Sequence, residues 1–275
     1  MKTKDGKTPF DFAAEYGRVD CIKDYFQSQP ISRQENLSIY ALIQSTIRSS
    51  NSDPTFISKR LSLIHASDKR YMLELACQHF DGDKLLTDPT ISKYFNSKFF
   101  LQENPNDGFT PLMIAVKHRR EKCVKALLQH PMCTKDILEA ASHDFERTVL
   151  HICAEYPNES IANALLGKAK SYELDLAPID IMGNTPLHIC AEKNNIFMCQ
   201  GLLANIHPKP VYDLLEKKNN NGLTAFHIAV KKKHTEIVNK MLQSTSGCES
   251  DLIKYCDQEL RTSLHIAAFE GTIRI

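Results

Sequence analysis

The stretch GNTPLHICAEKNNIFMCQGLL, residues 183–203, contains the features that decide the fold. Thr185 is followed by a proline and, three positions later, by His188. Threonine is a favourable helix N-cap because its hydroxyl can accept from an unpaired amide of the first turn, and proline suits the first helical position. Gly183, two positions before the threonine, suits a left-handed backbone. The stretch therefore predicts a tight turn followed by a helix.

The same pattern recurs along the chain, which indicates an internal repeat. Five other threonines open related segments: Thr8, Thr110, Thr148, Thr224 and Thr262. From Thr110 onward the steps are 38, 37, 39 and 38 residues. A second apolar set follows 13, 14, 17 and 18 residues after each threonine, which predicts a second helix with one apolar stripe. One such helix pair cannot bury its apolar face alone, so we expect the copies to stack.

These copies resemble the ankyrin repeat, whose signature is T-P-L-H-x-A with a period of about 33 residues. The resemblance implies an all-α solenoid of stacked antiparallel helix pairs with projecting fingers. It also implies that the histidine three positions after the threonine makes structural hydrogen bonds at the cap. Cys153 and Cys190 occupy a position that holds alanine in other copies, so we interpret them as packing residues and not as nucleophiles.

The spacing divides the chain into four parts. It predicts an ankyrin repeat over residues 1–30, degenerate repeats or an irregular insertion over 31–105, four regular repeats over 106–256, and an incomplete repeat over 257–275. For residues 31–66, a degenerate repeat and an insertion without repeat geometry both remain open. Because the sequence stops where a second helix should begin, we expect the chain to be an excerpt of a longer array.

The steps exceed the usual period, and the surplus lies before each threonine. Leu138, Leu214 and Leu252 each stand ten residues before the next threonine, and Leu174 stands eleven before, which predicts an ordered extra turn packed on the stack. This lengthened finger is similar to the arrays of ankyrin-rich A-type transient receptor potential (TRPA-type) cation channels. The resemblance implies the cytoplasmic array of a homotetrameric plasma-membrane channel that relays stimuli to the gate. The alternative is a soluble adaptor that binds other proteins.

Composition and motifs favour a non-enzymatic protein. The net charge is +1, no apolar run approaches the length of a membrane span, and glycine-rich phosphate loops and metalloprotease motifs are missing from the sequence. We therefore predict no cofactor, no metal site and no nucleic-acid partner. The nine cysteines form no C-x-x-C pair, which is typical of free thiols in a reducing compartment and favours the cytosolic side.

Two groups of residues are candidate sites. Two basic clusters are predicted on the turn that joins the helices of a repeat, and they either are solvated or bind an anionic partner such as inositol polyphosphate, an acidic peptide or lipid head groups. These clusters contain Lys117, Arg119 and Arg120, and Lys231, Lys232 and Lys233. For the array as a whole, the resemblance implies other proteins or other segments of the same channel as partners. Three cysteines in finger segments are predicted to be exposed thiols: Cys133, Cys248 and Cys256.

Overall fold

The computed structural model describes residues 103–104, 107–205, 211–245 and 249–271, together with Cys77, Leu86, Thr87, Phe100 and Leu101. The repeat predicted over residues 1–30 and nearly all of the region predicted over 31–105 lie outside these described residues. The chain divides into two compact units. One comprises residues 1–102 with 122–133, and the other comprises 103–121 with 134–275.

Between residues 111 and 269 the described part of the chain forms helices joined by turns and short loops. Its helices are α1 (Pro111–Lys117), α2 (Glu121–Gln129), α3 (Lys135–Glu139), α4 (Val149–Glu155), α5 (Glu159–Ser171), α6 (Pro186–Lys193), α7 (Ile196–Asn205), α8 (Val211–Leu215), α9 (Ala225–Lys231), α10 (Thr235–Ser244), α11 (Glu249–Lys254) and α12 (Ser263–Phe269).

In the second unit the helices form two layers. The first helices of successive repeats, α1, α4, α6, α9 and α12, each pack against the next, and so do the second helices α5, α7 and α10. Extended backbone in the described residues is limited to isolated antiparallel bridges, such as the one between Lys218 and Thr224. The predicted all-α stack of helix pairs is therefore confirmed for this unit.

In the first unit, helix α2 buries one face. Its apolar residues Cys123, Val124, Leu127 and Leu128 are all buried, as the apolar stripe predicts. Cys123 lies with its sulfur 3.8 Å from that of Cys77. This face is the core of the unit among the described residues.

Small residues let the first helices approach each other closely. The position five residues after each threonine holds Ala115, Cys153, Cys190 and Ala229, and all four are fully buried. The interpretation of these cysteines as packing residues is confirmed.

The lengthened fingers contain the predicted extra turn. Leu138, Leu214 and Leu252 are buried in or on the short helices α3, α8 and α11. The Thr148 repeat differs, since Leu174 is only half-buried and the surplus residues instead lengthen α5 to 13 residues. The reason is local: ANALLGKAK, residues 162–170, is rich in alanine, leucine and lysine, which have high helix propensity.

In three fingers an Asp or Asn side chain closes the turn by accepting from amides of that turn. Asp180 Oδ1 accepts from the amides of Met182 at 2.9 Å and Asn184 at 2.8 Å. Asn219 and Asp257 do the same in the next two fingers. An Asp or Asn five positions before the threonine is the sequence signal for this turn, although the repeat pattern of threonine, glycine and apolar residues does not include it.

The residue two positions before the threonine is left-handed in every described finger. Gly183 and Gly222 have φ of 71° and 69°, which confirms the predicted role of glycine. At Gly183 an added Cβ would also lie 2.9 Å from the backbone nitrogen of Asn220, so glycine allows the next finger to approach. Glu146 and Leu260 hold the same conformation, with φ of 53° and 59°.

The strain at Leu260 leads to a stability prediction. A left-handed conformation costs a non-glycine residue about 1 kcal/mol, and the Leu260 side chain is 80% exposed. We expect Leu260→Gly to raise the free energy of unfolding by up to about 1 kcal/mol, measured by urea titration with circular dichroism.

The matched reverse variant is Gly222→Leu. It adds the same strain, and its Cβ would collide with the side chain of Gln258 and lie 3.0 Å from the backbone nitrogen of that residue. We expect it to lower stability by roughly 2 kcal/mol. Equal effects of the two substitutions would contradict the strain argument.

In three repeats a histidine bridges the first helix to the next finger. The amide of Thr185 donates to His188 Nδ1 at 3.1 Å, and His188 Nε2 donates to the carbonyl oxygen of Leu223 at 3.0 Å. His151 and His227 make the same pair of bonds, reaching the carbonyls of Asn184 and Tyr255. The predicted structural role of these histidines is confirmed.

This geometry requires neutral imidazoles. Nδ1 faces an amide donor, so a proton there would break the cap. Burial lowers the pKa of His151 and His227, and it lowers the pKa of His188 to about 4.

The lowered pKa values predict acid lability. Between pH 6.5 and 4 these histidines bind protons in the unfolded chain but not in the folded chain. Their contribution to the free energy of unfolding is therefore fully present above pH 6.5 and is lost as the pH falls towards 4. His188 alone contributes up to about 3 kcal/mol of this loss. Urea titrations at a series of pH values measure the slope.

The control for this prediction is His188→Gln. Glutamine at the third helical position can still accept from the cap amide, but it does not titrate. We expect a shallower pH dependence in this variant, and a slope equal to that of the parent chain would contradict the assignment.

Candidate functional site

A groove lies between the fingers and the first-helix layer of the second unit. Its cavity volume is about 380 Å³. We call it the finger groove. It is lined by Arg147, Glu155, Met182, Asn184, His188, Ile189, Glu192, Lys193, Asn219, Asn221, Leu223, Ile228, Lys231 and Lys232.

Repeat geometry places the charged residues of the groove. Glu155, Glu192 and Lys231 stand seven residues after their threonines, and Lys193 and Lys232 stand eight after. These positions lie at the C-terminal ends of the first helices, or just beyond them, and project on the finger side. The stack therefore brings residues about 38 apart in sequence into one row.

Both glutamates of this row are ion-paired. Lys232 Nζ lies 2.7 Å from Glu192 Oε1, and Arg147 Nη1 lies 2.9 Å from Glu155 Oε2. Arg147 also reaches Asp180 Oδ2 at 3.4 Å. Lys193 and Lys231 form no ion pair with any described residue. Among the described residues of the groove, these two lysines therefore offer positive charge that a ligand can bind.

The structure separates the two predicted basic clusters. Lys231 and Lys232 line the finger groove, whereas Lys117, Arg119 and Arg120 do not. Lys117 is paired with Asp107 at 3.2 Å and lies 4.8 Å from the centre of the Phe109 ring. Arg120 is half-buried.

Arg119 and Lys233 occupy equivalent turns. Both follow a first helix, nine residues after the threonine, and both are exposed with left-handed φ of 55° and 61°. Gly271 takes this position in the Thr262 repeat, with φ of 70°. Neither basic residue is required by the turn, since glycine adopts the conformation without strain.

The thiols differ in part from the prediction. Cys133 is only 3% exposed, so the expectation of an exposed thiol is wrong there. The chain turns back after α2, with the Cys133 amide donating to the His130 carbonyl at 2.9 Å. Cys256 is half-buried, and Cys248 lies outside the described residues.

Burial also disfavours thiolate chemistry at the repeated cysteines. It raises the pKa of Cys153 and Cys199 to about 12, and that of Cys190 well above its ordinary value. The reactive species of cysteine is the thiolate, so these residues are inert at neutral pH. Within the described ranges no group of three or more His, Cys, Asp or Glu residues is placed to hold a metal ion.

Sequence reasoning missed the polar residue ten positions after the threonine. Asn195 is buried, and its Nδ2 donates to the carbonyls of Cys153 at 2.9 Å and Ala154 at 3.1 Å. His234 makes an equivalent contact with the carbonyl of Ala191 at 2.8 Å. These bonds fix each turn against the preceding first helix, close to the lysines of the groove.

The helices of the described residues are all too short or too polar to cross a bilayer.

Comparison with known proteins gives several matches. The chain is 28% identical over 129 residues to the probable 26S proteasome regulatory subunit p28 of Saccharomyces cerevisiae, covering 47% of this chain and 52% of that protein. It is 26% identical over 156 residues to NF-kappa-B inhibitor alpha of Mus musculus, covering 57% and 48%. It is 30% identical over 188 residues to transient receptor potential cation channel subfamily A member 1 of Homo sapiens, covering 66% and 15%. The chain thus spans about half the length of the first two relatives.

Family models match the region that the structure describes. The model for ankyrin repeats (3 copies) matches residues 130–213 and 207–275, which is more than half of the chain, and the model for a single ankyrin repeat matches 107–138. The chain belongs to the ankyrin-repeat family and is a protein-interaction scaffold.

Proposed function

We propose that the finger groove holds a segment of a partner protein and that carboxylates on this segment bind Lys193 and Lys231. The observation that carries the proposal is that these two lysines form no ion pair with a described residue, in a groove where Arg147 and Lys232 are both paired. An acidic segment supplies carboxylates that pair with these two lysines.

The other polar groups of the groove fit this assignment. His188 is buried and neutral, so it adds no charge. The side-chain amide of Asn221 makes no hydrogen bond within the described residues, and it can pair with the backbone of a bound segment. Charge complementarity of this kind steers association and selects partners.

Charge reversal tests the proposal. We expect the double substitution Lys193→Glu and Lys231→Glu to weaken binding of a fluorescein-labelled glutamate-containing peptide at least tenfold, since about 1.4 kcal/mol of attraction is lost. Fluorescence anisotropy measures the affinity, with the lysine-containing peptide of equal length as the reference ligand.

The matched control is Lys125→Glu with Lys170→Glu. It makes the same change in net charge at two exposed residues of the second helices, neither of which lines the groove. An equal loss in both double variants would show a non-specific charge effect and contradict the proposal. Lysine-dependent binding of inositol hexakisphosphate with no binding of the peptide would replace the protein segment with a small polyanion.

A second candidate function is the cytoplasmic array of a TRPA-type cation channel. The match to human transient receptor potential cation channel subfamily A member 1 extends over 66% of this chain, further than the matches to the other two relatives described above. The lengthened fingers with their short helices α3, α8 and α11 also favour it. In this case the array belongs to a homotetramer on the cytoplasmic side of the plasma membrane. The alternative is a soluble adaptor.

The transcript that encodes the chain separates these two assignments. A channel predicts six apolar stretches of about 20 residues encoded downstream of Ile275, and sequencing of the full-length messenger RNA measures this. A short polar ending would contradict the channel and favour the adaptor. The groove proposal holds in either case.

A further inference from the structure

Four large apolar side chains are exposed at the tips of two neighbouring fingers. Phe145 is 49% exposed, Ile179 58%, Ile181 52% and Met182 48%. We call these four residues the apolar tip patch. Large apolar groups gathered on a surface are typical of an interaction site.

Backbone hydrogen bonds hold the patch together. The Ile181 amide donates to the Phe145 carbonyl at 3.0 Å, which joins the two fingers. On the other side, the amide of Asn220 donates to the Met182 carbonyl, also at 3.0 Å. The patch is thus ordered before any partner binds, which lowers the entropic cost of association.

The finger fold does not require apolar residues at these positions. Four positions before the threonine, Ile181 corresponds to Asn220 and Gln258 of the next two fingers. Three positions before it, Met182 corresponds to Asn221 and Glu259. Those fingers make the same turn, closed by Asn219 and Asp257.

The patch is continuous with the finger groove. Met182 lines the same cavity as Lys193 and Lys231. The ring of Phe145 lies 5.1 Å from the guanidinium carbon of Arg147, which also lines that cavity. An apolar surface therefore borders the groove that Lys193 and Lys231 also line.

We infer that the partner segment carries a large apolar side chain beside its carboxylates, and that this side chain binds the apolar tip patch while the carboxylates bind Lys193 and Lys231. The inference rests on the proposed function of the groove and specifies the chemistry of its ligand. Hydrophobic contact supplies affinity, and the lysines select segments in which acidic residues accompany the apolar one.

Peptide display on the full chain tests the inference. Random 12-residue peptides are selected against three forms: the parent chain, the tip variant Ile181→Asn with Met182→Asn, and the charge variant Lys193→Glu with Lys231→Glu. The tip variant takes its asparagines from the same positions of the next finger, so its turn should form. We expect the parent to enrich peptides that combine acidic and large apolar residues. The tip variant should lose only the apolar enrichment and the charge variant only the acidic one.

Affinities sharpen the test. A synthetic peptide selected on the parent should bind the tip variant ten- to a hundredfold more weakly, as expected for one buried apolar side chain. Replacing the apolar residue of the peptide by serine should weaken its binding to the parent chain by the same factor. The serine peptide should then bind the tip variant almost as tightly as it binds the parent. The matched control is Phe197→Asn, which removes a side chain of equal exposure, 49%, outside the groove and should leave binding unchanged.

The two proposals fail in different ways. Unchanged affinity of the tip variant with intact dependence on the lysines would overturn only the inference about the patch. Unchanged acidic enrichment on the charge variant, or no enrichment on the parent chain, would overturn the proposed function as well. Loss of self-association in the tip variant, or patch-dependent sedimentation with phosphatidylserine vesicles, would assign the patch to a second copy or to a lipid surface and overturn the inference.

Discussion

The histidine bridge is the interaction on which the second unit depends. In each of three repeats an imidazole accepts from the capping threonine and donates to a carbonyl of the next finger, 28 to 35 residues later. One side chain thereby sets where a helix begins and where the following finger stands. Removing it would leave a buried amide and a carbonyl without partners, at about 1–3 kcal/mol for each group. These three repeats differ in many other residues but keep this bridge.

The same constraint separates the shape of the finger groove from its chemistry. Bridges and buried first helices fix its walls, while the side chains seven and eight residues after the threonine are free to differ. Their charge differs along the stack, since the residues seven positions after four successive threonines are Lys117, Glu155, Glu192 and Lys231. A fold of this kind does not determine its ligand. The choice of ligand depends on the individual charged side chains and on which of them are already paired.

The sequence was sufficient to predict the repeat, the threonine caps, the glycine turns and the burial of three finger leucines, because each follows from a residue type that recurs at a fixed position of the repeat. The sequence could not predict which lysines of the groove are ion-paired. Lys231 and Lys232 are adjacent in sequence, yet among the described residues Lys232 has an ion-pair partner and Lys231 has none. The partner, Glu192, lies 40 residues away in the preceding repeat. The prediction that Cys133 is exposed was wrong for a similar reason, because its burial depends on how the chain turns after α2.

The apolar tip patch follows from the way its finger is closed. Asp180 must face inward, because its carboxylate accepts the amides of Met182 and Asn184, and it is buried. The neighbouring Ile179 and Ile181 then face outward, which reverses the usual pattern of polar residues outside and apolar residues inside. The turn fixes the direction of these side chains but not their type, as Asn220 and Gln258 show at the position of Ile181. Their apolar character is therefore a property of the surface and not of the fold.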